Sequence, residues 1–261
     1  MFKTSITFLV PIEGLPSWHL QHLKKLTLYF KSQIVLFNFV QNRQVDMSDV
    51  LRSLTMVNKP NDLCQIVIEG SDAELACMVF TEAVREHSNI LSTSCKQHSL
   101  SAIQKEPALN LPFSLSWHYA KNQPYQNKQD VLQTIANLAA NENPLFLYEQ
   151  LASRENISST GLPNGIAIPH AMSPCVHNLT LVVLPLLTSI HWSTHLSQPP
   201  ISLSIALLLP EGSSRDIIMS STHLTRWLLD ETHGQQMLVY QREESLYAAC
   251  RYILSTPYRS T

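Results

Sequence analysis

The sequence predicts a mixed α/β (α+β) protein of two domains. Short β-rich runs alternate with amphipathic helical patterns along most of its 261 residues, which are enough for two modest cores. Between them, residues 91–111 are polar and rich in serine, with prolines near their end, as is typical of a linker. We therefore predict a first domain over 1–90, a linker over 91–111 and a second domain over 112–257.

The first domain is predicted from alternating and helical apolar patterns. Residues 4–10 alternate as a strand does, and leucines then recur at near-helical spacing. An Ala- and Glu-rich run with inward apolar positions predicts the last helix of this domain. The predicted strands are 4–10, 32–39 and 64–68, and the predicted helices are 20–30, 45–56 and 73–86.

The second domain has longer apolar runs. Residues 179–187 and 201–209 are continuously apolar, which predicts strands covered on both faces. Several other segments have apolar residues at helical spacing along one face, which predicts amphipathic helices. The predicted helices are 130–140, 144–155, 217–229 and 243–253.

Composition excludes several classes of function. A net charge of −2 gives no support for a nucleic-acid or anionic-membrane surface. Five scattered cysteines without a CxxC pair argue against a disulfide framework or a structural zinc site. No apolar run approaches the length of a membrane helix, and the first residues do not resemble a signal peptide. We expect a cytoplasmic protein with no cofactor and no metal.

The most informative segment is residues 158–171, with the sequence SSTGLPNGIAIPHA. It ends in His170, and a neutral imidazole is a nucleophile near neutral pH that can accept a phosphoryl group on nitrogen. Pro169 stiffens the approach to that histidine. The alternative to a phosphorylation site is a purely structural one, a tight turn that leads into a strand with His170 at the start of that strand.

Residues around His170 offer groups that bind phosphate. Arg154, at the end of a predicted helix, carries a guanidinium that can clamp phosphate oxygens. Glycines let backbone amides approach a phosphate closely, and hydroxyls add donors. The candidate phosphate-stabilising residues are Arg154, Ser159, Thr160, Gly161, Asn164 and Gly165.

The run that ends in His170 closely resembles the active-site segment of fructose/mannitol-type enzyme IIA domains of the bacterial sugar phosphotransferase system. Segments at 191–192, 200–203 and 207–211 match the same family. The resemblance implies a central mixed sheet flanked by helices, with His170 accepting phosphate from the phosphocarrier HPr and passing it to enzyme IIB/IIC permease components. One position departs from the family, because Ile217 occupies the slot of its second histidine.

The first domain resembles HPr itself over roughly residues 1–90, which implies an open-faced β-sandwich. Where HPr has Gly-Leu-His-x-Arg-Pro, this chain has Gly-Leu-Pro-Ser-Trp-His, so that Pro16 replaces the phosphorylated histidine. Proline carries no nucleophile, and His19 or His22 is the alternative acceptor in this domain.

Two functions therefore follow from the sequence. In the first, the chain is a phosphoryl carrier in sugar uptake, acting through His170. In the second, it is a regulatory or interaction protein derived from phosphotransferase components, and the changes at Pro16 and Ile217 favour this alternative.

Overall fold

The computed structural model describes residues 2–57, 59–96, 99–121, 123–140, 142–193, 199–239 and 242–258. It is a mixed α and β structure that divides into two compact units. The first unit contains Met1–Asn110 and Glu244–Tyr252, and the second contains Leu111–Glu243 and Ile253–Thr261. In the part of the chain described, no helix is both long and apolar enough to cross a membrane.

The first unit contains an antiparallel sheet, and the helices of its hydrophobic core lie against the face that carries Ile6 and Phe8. The strand order is β3-β2-β4-β1-β5. Ile6 and Phe8 of β1 enter a core shared with the helices, whereas Thr7 faces away and its hydroxyl accepts a hydrogen bond from Gln65. The elements are β1 Phe2–Leu9, α1 Ser17–Thr27, β2 Gln33–Asn38, β3 Arg43–Asp46, α2 Val50–Met56, β4 Leu63–Gly70, α3 Ala73–Arg85, β5 Asn89–Thr93, α4 Leu100–Gln104 and a 3₁₀ turn Pro107–Leu109. The predicted α+β class and open-faced β-sandwich are confirmed.

The predicted linker, 91–111, contains regular structure. It holds the end of β5, all of α4 and the 3₁₀ turn, and β5 pairs with β1. Its serines serve local structure, since the Ser99 hydroxyl caps α4 by accepting from the Ser101 N–H. The polar composition therefore reflects capping and short elements instead of a loose connection.

The predicted second domain, 112–257, differs from the second unit at the last helix. Ser245 bonds to Ser92 and Thr7, and Arg251 donates to the carbonyl of Leu109, so that most of this helix belongs to the first unit. The limits of independently folding domains stay predictions.

The second unit is built on a mixed sheet in the order β6-β9-β10-β7, with β8 also paired to β10. Strands β9 and β10 are antiparallel, whereas β6, β7 and β8 run parallel to their partners. Helices α5 and α6 pack apolar side chains such as Ile135 and Leu147 against Val182 and Leu208 of the sheet. The elements after Asn110 are β6 Leu115–Tyr119, α5 Lys128–Ala139, α6 Pro144–Ile157, β7 Ile166–Ala167, β8 His170–Ser173, β9 Leu179–Ile190, β10 Ile201–Pro210, α7 Arg215–Leu229, α8 Glu231–Val239, α9 Glu243–Ser255 and a 3₁₀ turn Thr256–Tyr258. Of α9, residues Glu244–Tyr252 belong to the first unit.

Candidate functional site

His170 is the first residue of β8, which follows the two-residue strand β7 and, like β7, pairs with β10. Leu207 of β10 lies opposite it in the parallel register, and the Leu207 N–H donates to the Pro169 carbonyl at 2.9 Å. The imidazole is half-buried, and its Nδ1 lies 2.9 Å from the Ile168 carbonyl oxygen. A carbonyl oxygen can only accept, so this contact places the ring proton on Nδ1. Nε2 is left with its lone pair, as a nucleophile requires.

Arg154 lies beside that nucleophilic atom. It sits in the last turn of α6, and its Nε–H donates to His170 Nε2 at 3.2 Å. A second donor, Nη1, reaches the Ser158 carbonyl at 3.2 Å and ties the guanidinium to the end of the helix. The fixed, planar cation is therefore held where a phosphoryl group on Nε2 would lie.

Thr160 links the loop to a buried carboxylate. Its N–H lies 3.1 and 3.2 Å from the two oxygens of Glu155, and its hydroxyl donates to the same carboxylate. Glu155 is buried and pairs with the Lys128 ammonium at 3.5 Å. The Thr160 carbonyl in turn accepts from the Ile168 N–H at 3.0 Å, which fixes the residue that orients His170.

Sequence reasoning missed Glu155, although a signal was present. Leu147, Leu151 and Glu155 recur every four residues of α6 and all three are buried, so that the carboxylate lies on the inward face of this helix. A glutamate in that register is paired or hydrogen-bonded.

Two of the predicted phosphate-stabilising residues have side chains engaged away from the imidazole. Asn164 is buried, donates from Nδ2 to the Leu228 carbonyl at 2.9 Å and accepts from the Ile166 N–H. The Thr160 hydroxyl is held by Glu155. Both residues stabilise the loop in this structure, and contact between them and a phosphate remains a prediction.

The other three form the turn itself. Ser159 is exposed, and its hydroxyl accepts from the Gly161 N–H at 3.4 Å. A side chain at Gly161 would meet Trp192, with its Cβ 3.0 Å from Cδ1 of that indole. Gly165 has φ +83°, a left-handed conformation that favours glycine. The two glycines therefore have structural reasons to be glycine, and their contact with phosphate also remains a prediction.

Ile217 is half-buried in the first turn of α7, where its N–H donates to the Ser214 hydroxyl. Its side chain supplies neither a charge nor a donor.

Of the two alternative acceptors in the first unit, His22 is exposed, and its phosphorylation stays a prediction. His19 is fully buried, and burial together with the nearby His87 lowers its pKa. A donor protein cannot reach a ring without exposed surface.

A shallow groove runs beside His170. Arg154 and His170 line it with Ile157 and Met172, whose side chains are exposed by 80% and 50%. Exposed apolar residues beside a half-buried histidine suit transient contact with another protein.

Comparisons with known proteins place this site in a family. A nitrogen regulatory protein of Pseudomonas aeruginosa is 39% identical over 100 residues, which are 36% of this chain and 64% of that protein. A nitrogen regulatory protein of Klebsiella oxytoca is 29% identical over 150 residues, covering 56% of this chain and 92% of its own length. Multiphosphoryl transfer protein 1 of Escherichia coli K12 is 27% identical over 129 residues, 48% of this chain and 15% of that protein.

Solved structures give more distant likenesses. The nitrogen regulatory protein IIA-Ntr of Neisseria meningitidis aligns with 56% of this chain and 94% of its own, at 20% identity and a TM-score of 0.42. The histidine-containing phosphocarrier protein of a mycoplasma aligns with 34% of this chain and 99% of its own, at 18% identity and a TM-score of 0.31.

The model of the family described as "Phosphoenolpyruvate-dependent sugar phosphotransferase system, EIIA 2" matches residues 118–252, which include His170, Arg154, helix α6 and strands β7 to β10. This match spans more than half of the chain. The chain therefore belongs to the EIIA type 2 family of the phosphotransferase system.

Proposed function

We propose that the chain accepts a phosphoryl group on Nε2 of His170 within the phosphotransferase system. The observation that carries this proposal is the environment of the imidazole. The Ile168 carbonyl holds the proton on Nδ1, and Arg154 lies 3.2 Å from the free Nε2. Membership of the EIIA type 2 family and the likeness to a multiphosphoryl transfer protein support the same chemistry.

The transfer follows from these contacts. The lone pair of His170 Nε2 attacks phosphorus, an N–P bond forms, and the bond to the donor's nitrogen breaks with its electron pair returning to the donor. Nδ1 keeps its proton throughout, so the imidazole becomes cationic as the bond forms, and the Ile168 carbonyl stabilises this charge. Arg154 then exchanges its contact with Nε2 for contacts with the phosphoryl oxygens.

The donor in this proposal is HPr or an HPr-like domain. Phosphoryl transfer between proteins requires a surface that docks briefly, and the exposed side chains of Ile157 and Met172 supply one at the edge of the reactive histidine. Pro16 carries no nucleophile, so the position that is phosphorylated in HPr cannot supply the phosphate here, and the donor is an HPr or HPr-like domain elsewhere.

The recipient distinguishes two functions. As a carrier, phospho-His170 passes its phosphoryl group to an enzyme IIB during sugar uptake. As a regulator, its phosphorylation state is itself the signal, and the names of the Pseudomonas and Klebsiella relatives, both nitrogen regulatory proteins, favour this second candidate.

Phosphate acceptance is tested with enzyme I, HPr and ³²P-labelled phosphoenolpyruvate. We expect acid-labile label on the wild type and none on His170→Ala. The exposed His177→Ala variant is the matched control and should label normally. Arg154→Ala should label about 10²-fold more slowly, as when one donor to a developing charge is removed. Arg154→Lys should recover part of that rate, because an ammonium keeps the charge and loses the directed pair of donors. Label that persists in His170→Ala would refute the assignment.

The recipient is tested by a chase. Purified ³²P-labelled chain is mixed with fructose- and mannitol-type IIB domains, and transfer is followed on gels. Rapid loss of label to a IIB domain supports the carrier. Label that stays on His170 while every IIB domain accepts phosphate from its own IIA supports the regulator.

A further inference from the structure

Three potential metal ligands meet in the first unit, away from His170. His19 lies in the first turn of α1, and Glu86 and His87 follow directly after α3. One ligand atom from each lies within 4.8 Å of the other two. The two imidazoles lie edge to face with ring centroids 4.6 Å apart.

His19 is the informative member of this cluster. It is 0% exposed, and neither Nδ1 nor Nε2 has a hydrogen-bond partner in the structure. A neutral imidazole has one donor and one acceptor, and leaving both unsatisfied in the interior costs free energy. An apolar side chain would fill this position without that cost, so the buried imidazole suggests that a ligand binds its ring nitrogens.

The donor atoms of His19, Glu86 and His87 suit one class of ligand, a divalent transition-metal ion. Two imidazoles and one carboxylate form a donor set that suits zinc and related divalent transition metals, whereas Mg²⁺ and Ca²⁺ prefer oxygen ligands. The Trp18 ring lies edge to face with both imidazoles, at 5.6 Å from His19 and 4.9 Å from His87, and provides an apolar wall.

We propose that His19, Glu86 and His87 form a Zn²⁺ site that joins the start of α1 to the end of α3. Tetrahedral zinc places its ligand atoms about 3.4 Å apart, so atoms that lie within 4.8 Å of one another need to approach by at most about 1.4 Å. The exposed Glu86 and half-buried His87 side chains can make this movement, while the buried His19 stays in place. A water molecule completes the fourth position.

No cysteine takes part, and the two histidines are far apart in sequence, with His19 in α1 and His87 just after α3. The scattered cysteines and the absence of a local ligand motif led to the expectation of no metal, and that expectation considered only residues near one another in sequence. The site depends on the packing of α1 near α3, which the sequence pattern does not display.

The test is Zn²⁺ titration of the full chain by calorimetry, with Mg²⁺ as the hard-cation comparison. We expect one Zn²⁺ per chain, a higher melting temperature with zinc, and no binding of Mg²⁺. His87→Ala and Glu86→Gln change accessible side chains and should keep the fold, which circular dichroism checks. Each should weaken Zn²⁺ binding by at least about tenfold, since even residues that only support metal ligands contribute that much. His177→Ala, an exposed histidine of the second unit, is the matched control and should bind as the wild type does.

The Co²⁺-substituted chain supplies an independent readout. Visible d–d bands without a thiolate charge-transfer band are expected from two imidazoles and a carboxylate. No Zn²⁺ binding by the wild type, a loss below about tenfold in either variant, or a thiolate band would each overturn the proposal. A thiolate band would assign the metal to a cysteine such as the exposed Cys95.

Discussion

Replacing Glu155 by alanine tests whether a buried carboxylate holds the loop before His170. Two hydrogen bonds from the Thr160 N–H and one from its hydroxyl end on this carboxylate. In Glu155→Ala the Thr160 N–H, in a residue only 7% exposed, has no acceptor, at a cost of about 1–3 kcal/mol. Loss of the charge-assisted bond from the hydroxyl adds about 1.5–3 kcal/mol. The Lys128 side chain is 22% exposed and stays hydrated, so its loss of a partner adds little.

The expected total is about 3–5 kcal/mol, the range found when one member of a buried pair is removed. Urea unfolding followed by tryptophan fluorescence measures it, with Glu149→Ala on the exposed side of the same helix as the control. That control should stay within about 0.5 kcal/mol of the wild type. A Glu155→Gln, Thr160→Val double-mutant cycle should show a coupling energy of at least about 1 kcal/mol. A loss under about 1 kcal/mol in Glu155→Ala, or strictly additive single effects, would refute the reasoning.

Three further changes test other parts of the chain. Gly70→Ala should lower the free energy of unfolding in urea by about 3 kcal/mol, because its Cβ would lie 2.6 Å from the Ser32 Cα. Gly212→Ala, with φ +71° and open space around it, should lower it by about 1 kcal/mol, and equal losses would contradict this. Burial lowers the pKa of His118 below its unfolded value of 6.5, so the unfolded chain binds the proton first. The free energy of unfolding therefore falls as the pH drops below 6.5 towards the folded pKa. His118→Gln should lose less of this free energy between pH 7.5 and 5.5 than the wild type does, and an identical loss would contradict the assignment. Burial raises the pKa of Cys250 to about 12, so this thiol should not react with iodoacetamide at pH 8 until urea unfolds the chain. Mass spectrometry detects the modification, and a modified Cys250 in the native protein would be evidence against its burial.

Strong periodicity made much of the fold predictable. The alternation in 4–10 and the continuous apolar runs at 179–187 and 201–209 correspond to β1, β9 and β10. Such runs are reliable because burial on one or both faces fixes their pattern.

Short polar elements were missed because their structure comes from partners distant in sequence. Strand β3 buries Val45 alone among its four residues and exists through its pairing with β2. Strand β8 begins with a histidine and contains no β-branched residue, so only its parallel pairing with β10 makes it a strand. The helix that follows β3 begins after Asp49, whose side chain caps it, within a segment that the sequence pattern assigned wholly to helix.

The site was predictable where chemistry is local. The motif located His170, and position at a helix end located Arg154, which the structure places in contact with that histidine. The link from Glu155 to Thr160 was not predicted, because the hydroxyls and glycines of the loop suggested phosphate binding. In the folded loop the N–H and hydroxyl of Thr160 instead donate to the Glu155 carboxylate. A polar residue in a loop motif has two competing uses, and only the fold decides between them.

The last turn of α6 controls both nitrogens of the His170 ring. Arg154 contacts Nε2 directly, and its neighbour Glu155 acts on Nδ1 through Thr160 and Ile168. Successive residues of a helix point about 100° apart, so one turn can direct a cation to the exposed groove and a carboxylate into the interior. Thr160 donates its N–H to Glu155 and accepts at its carbonyl from the Ile168 N–H, so it ties the end of the helix to the residue whose carbonyl holds Nδ1. With Ile217 unable to supply a charge, the contacts that hold the two ring nitrogens of His170 depend on this turn staying helical to Ile157.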